Sequence, residues 1–529
     1  MAQRDFMRPG RSVAVAKHAM AATSHPLATL AAIDILRAGG NAVDAAIAAV
    51  ALQGVIDPHM TGIGGDCFAI YAPAQGNPTC INGSGRTPAK ASLKALLAAG
   101  AAKVPDLSAH AVVIPGAVDA WCLLNAQHGR LPLSDVLAPA IAAAERGFVA
   151  TPRVAQDWTV YADRLKPHAA AAAHFLPQDR PLAIGQSLAS PALAATLTRI
   201  GKEGREAFYS GPVAEDMVSV LQAAGGTHDR ADFSSHSSVV STPLSANYRG
   251  YQLLECPPNG QGLTALIMAR LLERFDLSDP ALGEADRIHL LAEATKAAYR
   301  LRDSYIGDPA SMTVSPNELL SDATISALHA GISMHEASPL ADFDFPLHRD
   351  TVYVSVVDED GNAISLINSV FMAFGSGIYA ARSGVLFNNR GAGFSLEPDH
   401  PNLYGPSKLP LHTIIPAILR KGGRTVMSFG VMGGQYQAVG HTHMMSQIID
   451  QGLDVQQASD RPRSFYTDGA ITLEPTIDDW VRLELESRGH RTRWADEPLG
   501  GCQAIWIDRG NGLLWGASDH RKDGIALGY

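Results

Sequence analysis

A chain of 529 residues, 46% of them hydrophobic and with no Ser/Gly linker or block of like charge, is expected to bury one large continuous core. A net charge of -10 and a pI near 6.0 argue against a nucleic-acid partner and against a basic membrane-binding stripe, which leaves small molecules as ligands. Five cysteines (Cys67, Cys80, Cys122, Cys256 and Cys502), odd in number and without Cys-x-x-Cys spacing, read as reduced thiols and offer no metal site.

The first residues, Met1 to Phe6, open no apolar run of the kind a secretory signal needs, so a cytoplasmic location is expected. From Pro26 to Arg37 the apolar residues Leu27, Leu30, Ile33 and Leu36 recur on one helical face, and Gly39-Gly40 ends the helix. A second, Ala-rich helix follows from Ala42 to Gln53. It falls well short of the roughly twenty residues that cross a bilayer and reads as a buried helix. Cys67 to Ala72 reads as a strand, and another leads into Asn82 to Pro88. The middle of the chain, Leu131 to Gly225, is mostly helical, with the Ala169 to Ala173 run extending a helix. A Pro-rich loop from Pro257 to Gly262 precedes amphipathic helices over Leu263 to Phe275 and Ala285 to Arg302. Between Tyr305 and Arg349 the Pro, Ser, Asp and His content predicts an exposed, weakly structured tail.

Thr351 to Ser369 then forms the stretch around which the rest is arranged. Val, Tyr, Ile and Leu alternate with small or polar residues on both sides of Asp358-Glu359-Asp360-Gly361-Asn362, the pattern of two strands joined by a tight turn, with Thr351 at the head of the first. About eighty residues on, the strand-like Val426 to Phe429 runs into Gly430-Val431-Met432-Gly433-Gly434, where backbone N–H groups unshielded by side chains suit an oxyanion hole. His441 and His443, two residues apart on a helix, point about 200 degrees apart and do not share a metal easily, and the acidic turn lacks the register of a calcium loop. Neither a metal nor a cofactor is expected.

The hairpin Thr351, Asn388-Asn389, Pro406 to Leu411 and Met432-Gly433-Gly434, together with Ser24 to Leu27, Leu36 to Ala46 and Asp57 to Gly65, resemble the gamma-glutamyltranspeptidase family of N-terminal-nucleophile hydrolases. The matches fall in order at both ends of the chain. The resemblance implies an α+β fold, a four-layer αββα sandwich. It also implies a zymogen that cuts itself between Asp350 and Thr351 into a large chain, 1–350, and a small chain, 351–529, which remain one structural unit as each other's partners; a homodimer is left open. The new α-amine of Thr351, with a reference pKa of about 7.7 to 8.0, then acts as general base for its own hydroxyl. Gly433 and Gly434 hold the oxyanion, at about 3 kcal/mol per donor, and Ser369 orients the nucleophile.

Departures from the family pattern carry the substrate reading. Ser84 stands where the family has its glutamate-binding Arg, with Arg86 two positions on; Phe371 replaces an Asn; Arg390 and Gly393 replace a Gln and an Asp; His412 and Thr413 replace paired serines. The groups that grip a gamma-glutamyl moiety are thus changed, and a cation has appeared at Arg390. This predicts a pocket for an anionic amide without an α-amino group. Arg390 or Arg86 pairs with its carboxylate in a bidentate fork, and His412, Thr413, Asn388 and Tyr436 complete the pocket. The expected activity is hydrolysis of the carbon–nitrogen bond of a linear amide. The chain resembles the family members that convert oxamate to oxalate and ammonia in purine catabolism. A gamma-glutamyltransferase or glutathione hydrolase, a glutaryl-type cephalosporin acylase, and an uncut binding protein are the alternatives.

Overall fold

Two seven-stranded antiparallel sheets stack face to face, and each carries helices on its outer side, in a computed structural model that describes residues 10–339 and 351–529. The first sheet runs in the order Ile525–Gly528, Met20–Thr23, Val352–Val357, Ala363–Ser369, Asp66–Ala72, Thr79–Gly83, Val239–Ser241. The second runs Ala14–Ala16, Leu513–Ser518, Gly501–Asp508, Arg424–Met432, Ala417–Lys421, Tyr251–Glu255, Leu244–Tyr248. This is the expected α+β sandwich of four layers. Both sheets interleave strands from before residue 340 with strands from after residue 351. The predicted cleavage position Asp350 lies outside the described residues.

The hairpin is central. Val352 pairs with Asn368 and Val357 with Ala363, while Met20–Thr23 flanks Val354 to Val357 and Asp66–Ala72 flanks Ala363 to Ser369. Asp358 closes its turn by accepting from the backbone N–H groups of Asp360 (3.1 Å) and Asn362 (2.9 Å). The other carboxylate oxygen accepts from Ala42 N–H at 3.0 Å, which ties the turn to the start of helix Ala42–Ile56. That helix is capped by Asn41 in a reciprocal box with Asp44 and is buried along its whole length. Val352, Val354 and Val356 pack on it, whereas Tyr353 faces the second sheet among Phe68, Ile70, Ile367, Ile418 and Ile505, as the period of two along a strand requires. On the far side, helices Gly262–Leu272, Glu284–Tyr305 and Gln437–Ile449 cover the second sheet.

The tail expectation is corrected in part. Pro316–Leu319 and Asp322–Ala330 are helical, because Ser315 and Ser321 cap them and Leu319 and Ile325 find burial. Residues 340–349 of that stretch lie outside the described residues. All five cysteines are free thiols, and no helix among the described residues is long and apolar enough to cross a membrane.

Side chains between the sheets fix the hairpin against the strand that ends at Gly433. Ser355 Oγ donates to Ser428 Oγ at 2.7 Å, Ser428 Oγ donates to Ile364 O at 2.9 Å, and Ser365 Oγ donates to Phe429 O at 3.2 Å. Gly430 lies flat against the Tyr353 ring, where a Cβ would come within 2.3 Å of it, and the ring is held by a 2.6 Å hydrogen bond between Tyr353 and Ser365. Gly430→Ala should therefore push the sheets apart and cost about 1–3 kcal/mol. A lowered midpoint of denaturation is the expected readout, and an unchanged midpoint would show that the ring has room to move.

Candidate active site

Thr351 sits one residue before the first hairpin strand and is 1% exposed. Its Oγ1 lies 3.4 Å from Ser369 Oγ, its neighbour at the end of the partner strand. Ser369 Oγ in turn accepts the N–H of Phe371 at 2.9 Å. Phe371 holds φ at +83°, a conformation that costs a residue with a side chain about 1–3 kcal/mol and that gathers at functional sites. On its other flank Thr351 borders a cavity of about 10 Å³, room for one water, lined also by Asp57, His59, Asp157 and Lys522.

The Phe371 ring carries Arg390, whose guanidinium carbon stands 4.1 Å above the ring centroid. Arg390 is fully buried in the short helical turn Arg390–Gly393. Its Nη1 donates to Thr413 Oγ1 at 2.8 Å, and its Nε lies 3.8 Å from Asp66 Oδ2. Nε and Nη2 are both buried without a hydrogen-bond partner among the described residues. A buried cation with unused donors is costly unless something completes it.

Asp66 supplies half of that compensation. It starts the strand beside the hairpin, directly across from Ser369. Its Oδ2 is 2.9 Å from His412 Nε2, and its Oδ1 accepts the N–H of Gly85 at 3.2 Å. His412 Nδ1 accepts from Ile414 N–H at 3.4 Å, which assigns the proton to Nε2 and directs it at Asp66. Burial pushes the Asp66 carboxyl up to about 7 against the pull of Arg390. Burial likewise lowers Arg390 to about 9 while Asp66 raises it, so the guanidinium stays protonated at neutral pH.

Gly433 and Gly434 turn the chain from strand Arg424–Met432 into helix Gln437–Ile449 with φ of +123° and +56°. A Cβ on Gly433 would meet Gly500 Cα at 2.9 Å, so the turn needs glycine there. Neither N–H is committed to a backbone hydrogen bond among the described residues. One side chain joins this turn to the Arg390 side of the site: Gln261 Nε2 donates to Gly434 O at 3.0 Å and to Thr413 O at 2.8 Å. Arg302, stacked 4.1 Å over Tyr299, donates to both Gln261 Oε1 and Gln435 Oε1, and the Tyr299 hydroxyl donates to Gln435 O.

The structure thus links Thr351, Ser369, Arg390, His412, Thr413 and the Gly433-Gly434 turn through a chain of contacts. It places three expected residues elsewhere. Asn388 has its hydrogen-bonding capacity used by protein: its amide donates to Gly64 O and Val113 O, and its carbonyl accepts from Val113 and Arg390 N–H groups, so it braces the turn that carries Arg390. Arg86 is half exposed and engaged with Asp308 at 3.1 Å and Ser407 O at 3.0 Å. Tyr436 packs edge-on against Phe465 behind the glycine turn, with its hydroxyl buried. Asp66 and Gln261 are the residues that sequence reasoning missed. Asp66 offered one signal, a carboxylate opening an otherwise apolar strand after Gly64-Gly65, because a buried acid needs a partner.

The two helix histidines serve the scaffold. His441 Nδ1 lies 2.7 Å from Glu255 Oε1, and His443 is buried, with its imidazole driven down to about 3 by desolvation and then by Arg463. Elsewhere, His289, Glu293 and His490 come together, but His289 Nδ1 and His490 Nε2 bond each other at 2.8 Å and Lys296 Nζ occupies Glu293 Oε1 at 2.5 Å. Their atoms are committed to one another and to an ammonium group.

A sequence model of the family described as Gamma-glutamyltranspeptidase matches residues 28–529. The chain is 34% identical to the glutathione hydrolase-like YwrD proenzyme of Bacillus subtilis over 96% of its own length and 98% of the relative's. It is equally 34% identical to the oxamate amidohydrolase proenzyme of Klebsiella pneumoniae, over 97% and 99%. Among solved structures, the cephalosporin acylase of Bacillus halodurans superposes with a TM-score of 0.93 at 36% identity, covering 100% of this chain and 99% of the other. The chain is a hydrolase of amide carbon–nitrogen bonds and belongs to the gamma-glutamyltranspeptidase family.

Proposed function

We propose that the chain cuts itself before Thr351 and then hydrolyses a small anionic amide through an acyl-enzyme on Thr351, with oxamate as the substrate. The supporting observation is Arg390, a buried guanidinium three contacts from the nucleophile through Phe371 and Ser369, with Nε and Nη2 unspent among the described residues. A carboxylate is the group that matches paired donors of that geometry. In self-cleavage the Thr351 hydroxyl attacks the preceding carbonyl, the C–N bond breaks so that the amide becomes an ester and the Thr351 amine is freed, and water hydrolyses the ester to release the Asp350 carboxyl and restore the hydroxyl. In turnover that amine takes the hydroxyl proton as the oxygen attacks the carbamoyl carbon. The N–H groups of Gly433 and Gly434 receive the oxyanion, ammonia departs with the proton, and water hydrolyses the oxalyl ester. Both fragments contribute strands to both sheets, so the halves stay together after the cut.

A gamma-glutamyl substrate fits this set of charges less well. Its α-ammonium needs an anion, Gly393 offers none, and Asp66 is already faced by Arg390 and His412. The acylase likeness favours one second reading: a glutaryl-type monoamide, which is also anionic and also lacks an α-ammonium. The distance from Arg390 to the scissile carbonyl separates the two.

Thr351→Ala should run as one intact band on a denaturing gel and show no turnover, against two wild-type fragments whose masses place the cut at residue 351. Arg390→Lys keeps a cation opposite Asp66 but loses the planar fork. It should raise KM for oxamate about 10–100-fold and leave uncharged amides nearly unaffected. Faster glutamate release from glutathione than ammonia release from oxamate would overturn the substrate assignment.

A further inference from the structure

An anion arriving at Arg390 meets a site whose charge is already balanced. Arg390 contributes one positive charge and Asp66 one negative, both side chains are inaccessible to solvent, and among the described residues no water-exposed counter-ion touches either. A substrate carboxylate adds a second negative charge to a single guanidinium. Left uncompensated in a buried site, that charge is expensive. The other titratable group on Asp66 is His412, at 2.9 Å, itself fully buried and stacked 4.8 Å from Phe68. Its other neighbours among the described residues include the Cys67 thiol on the same strand, which burial drives up and keeps neutral, the hydroxyl of Ser369 across the ladder, and the N–H groups of Gly85 and Gly116. One further group, the Thr351 amine freed by cleavage, lies beyond Ser369.

We propose that an anion binds at the unspent edge of Arg390 together with one proton, which the Asp66–His412 pair takes up from solvent and returns when the product leaves. Asp66 is then a positioning and specificity residue: it aims Arg390 and His412, and it restricts the site to anions at a pH where the pair can be charged with that proton. The inference rests on the anionic-amide reading above. The burial that lifts the Asp66 carboxyl to about 7 puts the transition inside the working range. The sign follows from linkage. Because the liganded site binds more protons than the free one, affinity is full below the free pair's titration and falls as pH rises through it.

The probe is oxalate, the product dianion, bound to the processed enzyme. Calorimetric titrations at about pH 8 in two buffers of different ionisation enthalpy should report uptake approaching one proton per oxalate, fading toward about pH 6. KM for oxamate should be flat below about pH 6 and climb by up to about tenfold per pH unit above 7, while KM for its uncharged ethyl ester stays level. Asp66→Asn should abolish the uptake and flatten the oxamate KM profile, with the shape of the kcat profile still set by the Thr351 amine. Uptake that survives in Asp66→Asn puts the proton on that amine and overturns the proposal. If the variant does not fold, the wild-type contrast decides: parallel KM profiles for acid and ester overturn it. Oxalate binding without uptake overturns it while leaving the anionic-amide reading in place, whereas failure of both oxalate and oxamate to bind removes that reading too.

Discussion

Burying an arginine completely is an unusual choice, and the surroundings of Arg390 show what it requires. The planar cation lies on Phe371, one end is bonded to Thr413, and a carboxylate stands 3.8 Å from Nε. Each of these neighbours is held by something else: Phe371 by Ser369, Thr413 by the loop that Gln261 clamps, and Asp66 by His412 and the Gly85 N–H. Removing any one leaves a charge or a donor stranded in a dry interior, a loss of several kcal/mol when a buried pair is broken from one side. The specificity half of the site is therefore cooperative, in the sense that its members are satisfied together or not at all.

The catalytic half is held by a different kind of bond. Thr351 directly precedes a strand fixed by ladder pairing in the middle of a seven-stranded sheet, Ser369 is itself paired with Asp66, and the Gly433-Gly434 turn is fixed at the end of a strand in the facing sheet. The serine contacts at Ser355, Ser365 and Ser428 set the spacing between them. Sheet geometry of this kind varies little, so the proposed nucleophile and the proposed oxyanion donors keep their separation whatever stands in the loops. Because strands on both sides of residue 351 run through both sheets, a peptide bond can be cut there without dividing the core.

How much of this could be read from the chain follows the same division. The alternating pattern of Val352 to Ile367, the helices at Pro26–Arg37 and Ala42–Ile56, and the glycine pair at the end of an apolar strand are local signals, and all were legible. The Arg390 circuit joins positions 66, 261, 390, 412 and 413, and nothing in a local window marks Asp66 as its counter-ion or Gln261 as its link to Gly434. Proximity in sequence misled in the opposite direction for Asn388 and Arg86. The first braces the backbone two residues before Arg390, and the second, a cation near a diagnostic stretch, is drawn off to Asp308 at the surface. The helices at Pro316–Leu319 and Asp322–Ala330 were hidden because four to nine residues of mixed composition carry little periodicity, and only their serine caps spoke for them.

These two ways of fixing residues bear on how one scaffold comes to serve several amides. Relatives named for glutathione, oxamate and an acylase reaction match this chain at 33–34% identity over nearly all of its length, so the scaffold persists while most side chains change. In this chain the groups that differ from the family pattern, Phe371, Arg390, His412 and Thr413, all lie in turns and loop segments that meet over the nucleophile, outside the ladder that carries Thr351. Asp66, the acid that faces Arg390, belongs instead to a central strand. The cation in the loops stands opposite a buried acid in the sheet, and that acid is hydrogen-bonded in turn by His412. Changing the charge of the substrate on this scaffold is therefore a coupled event across a strand and two loops, and a single loop substitution that introduced Arg390 without Asp66 would leave the cation unpaired in the core.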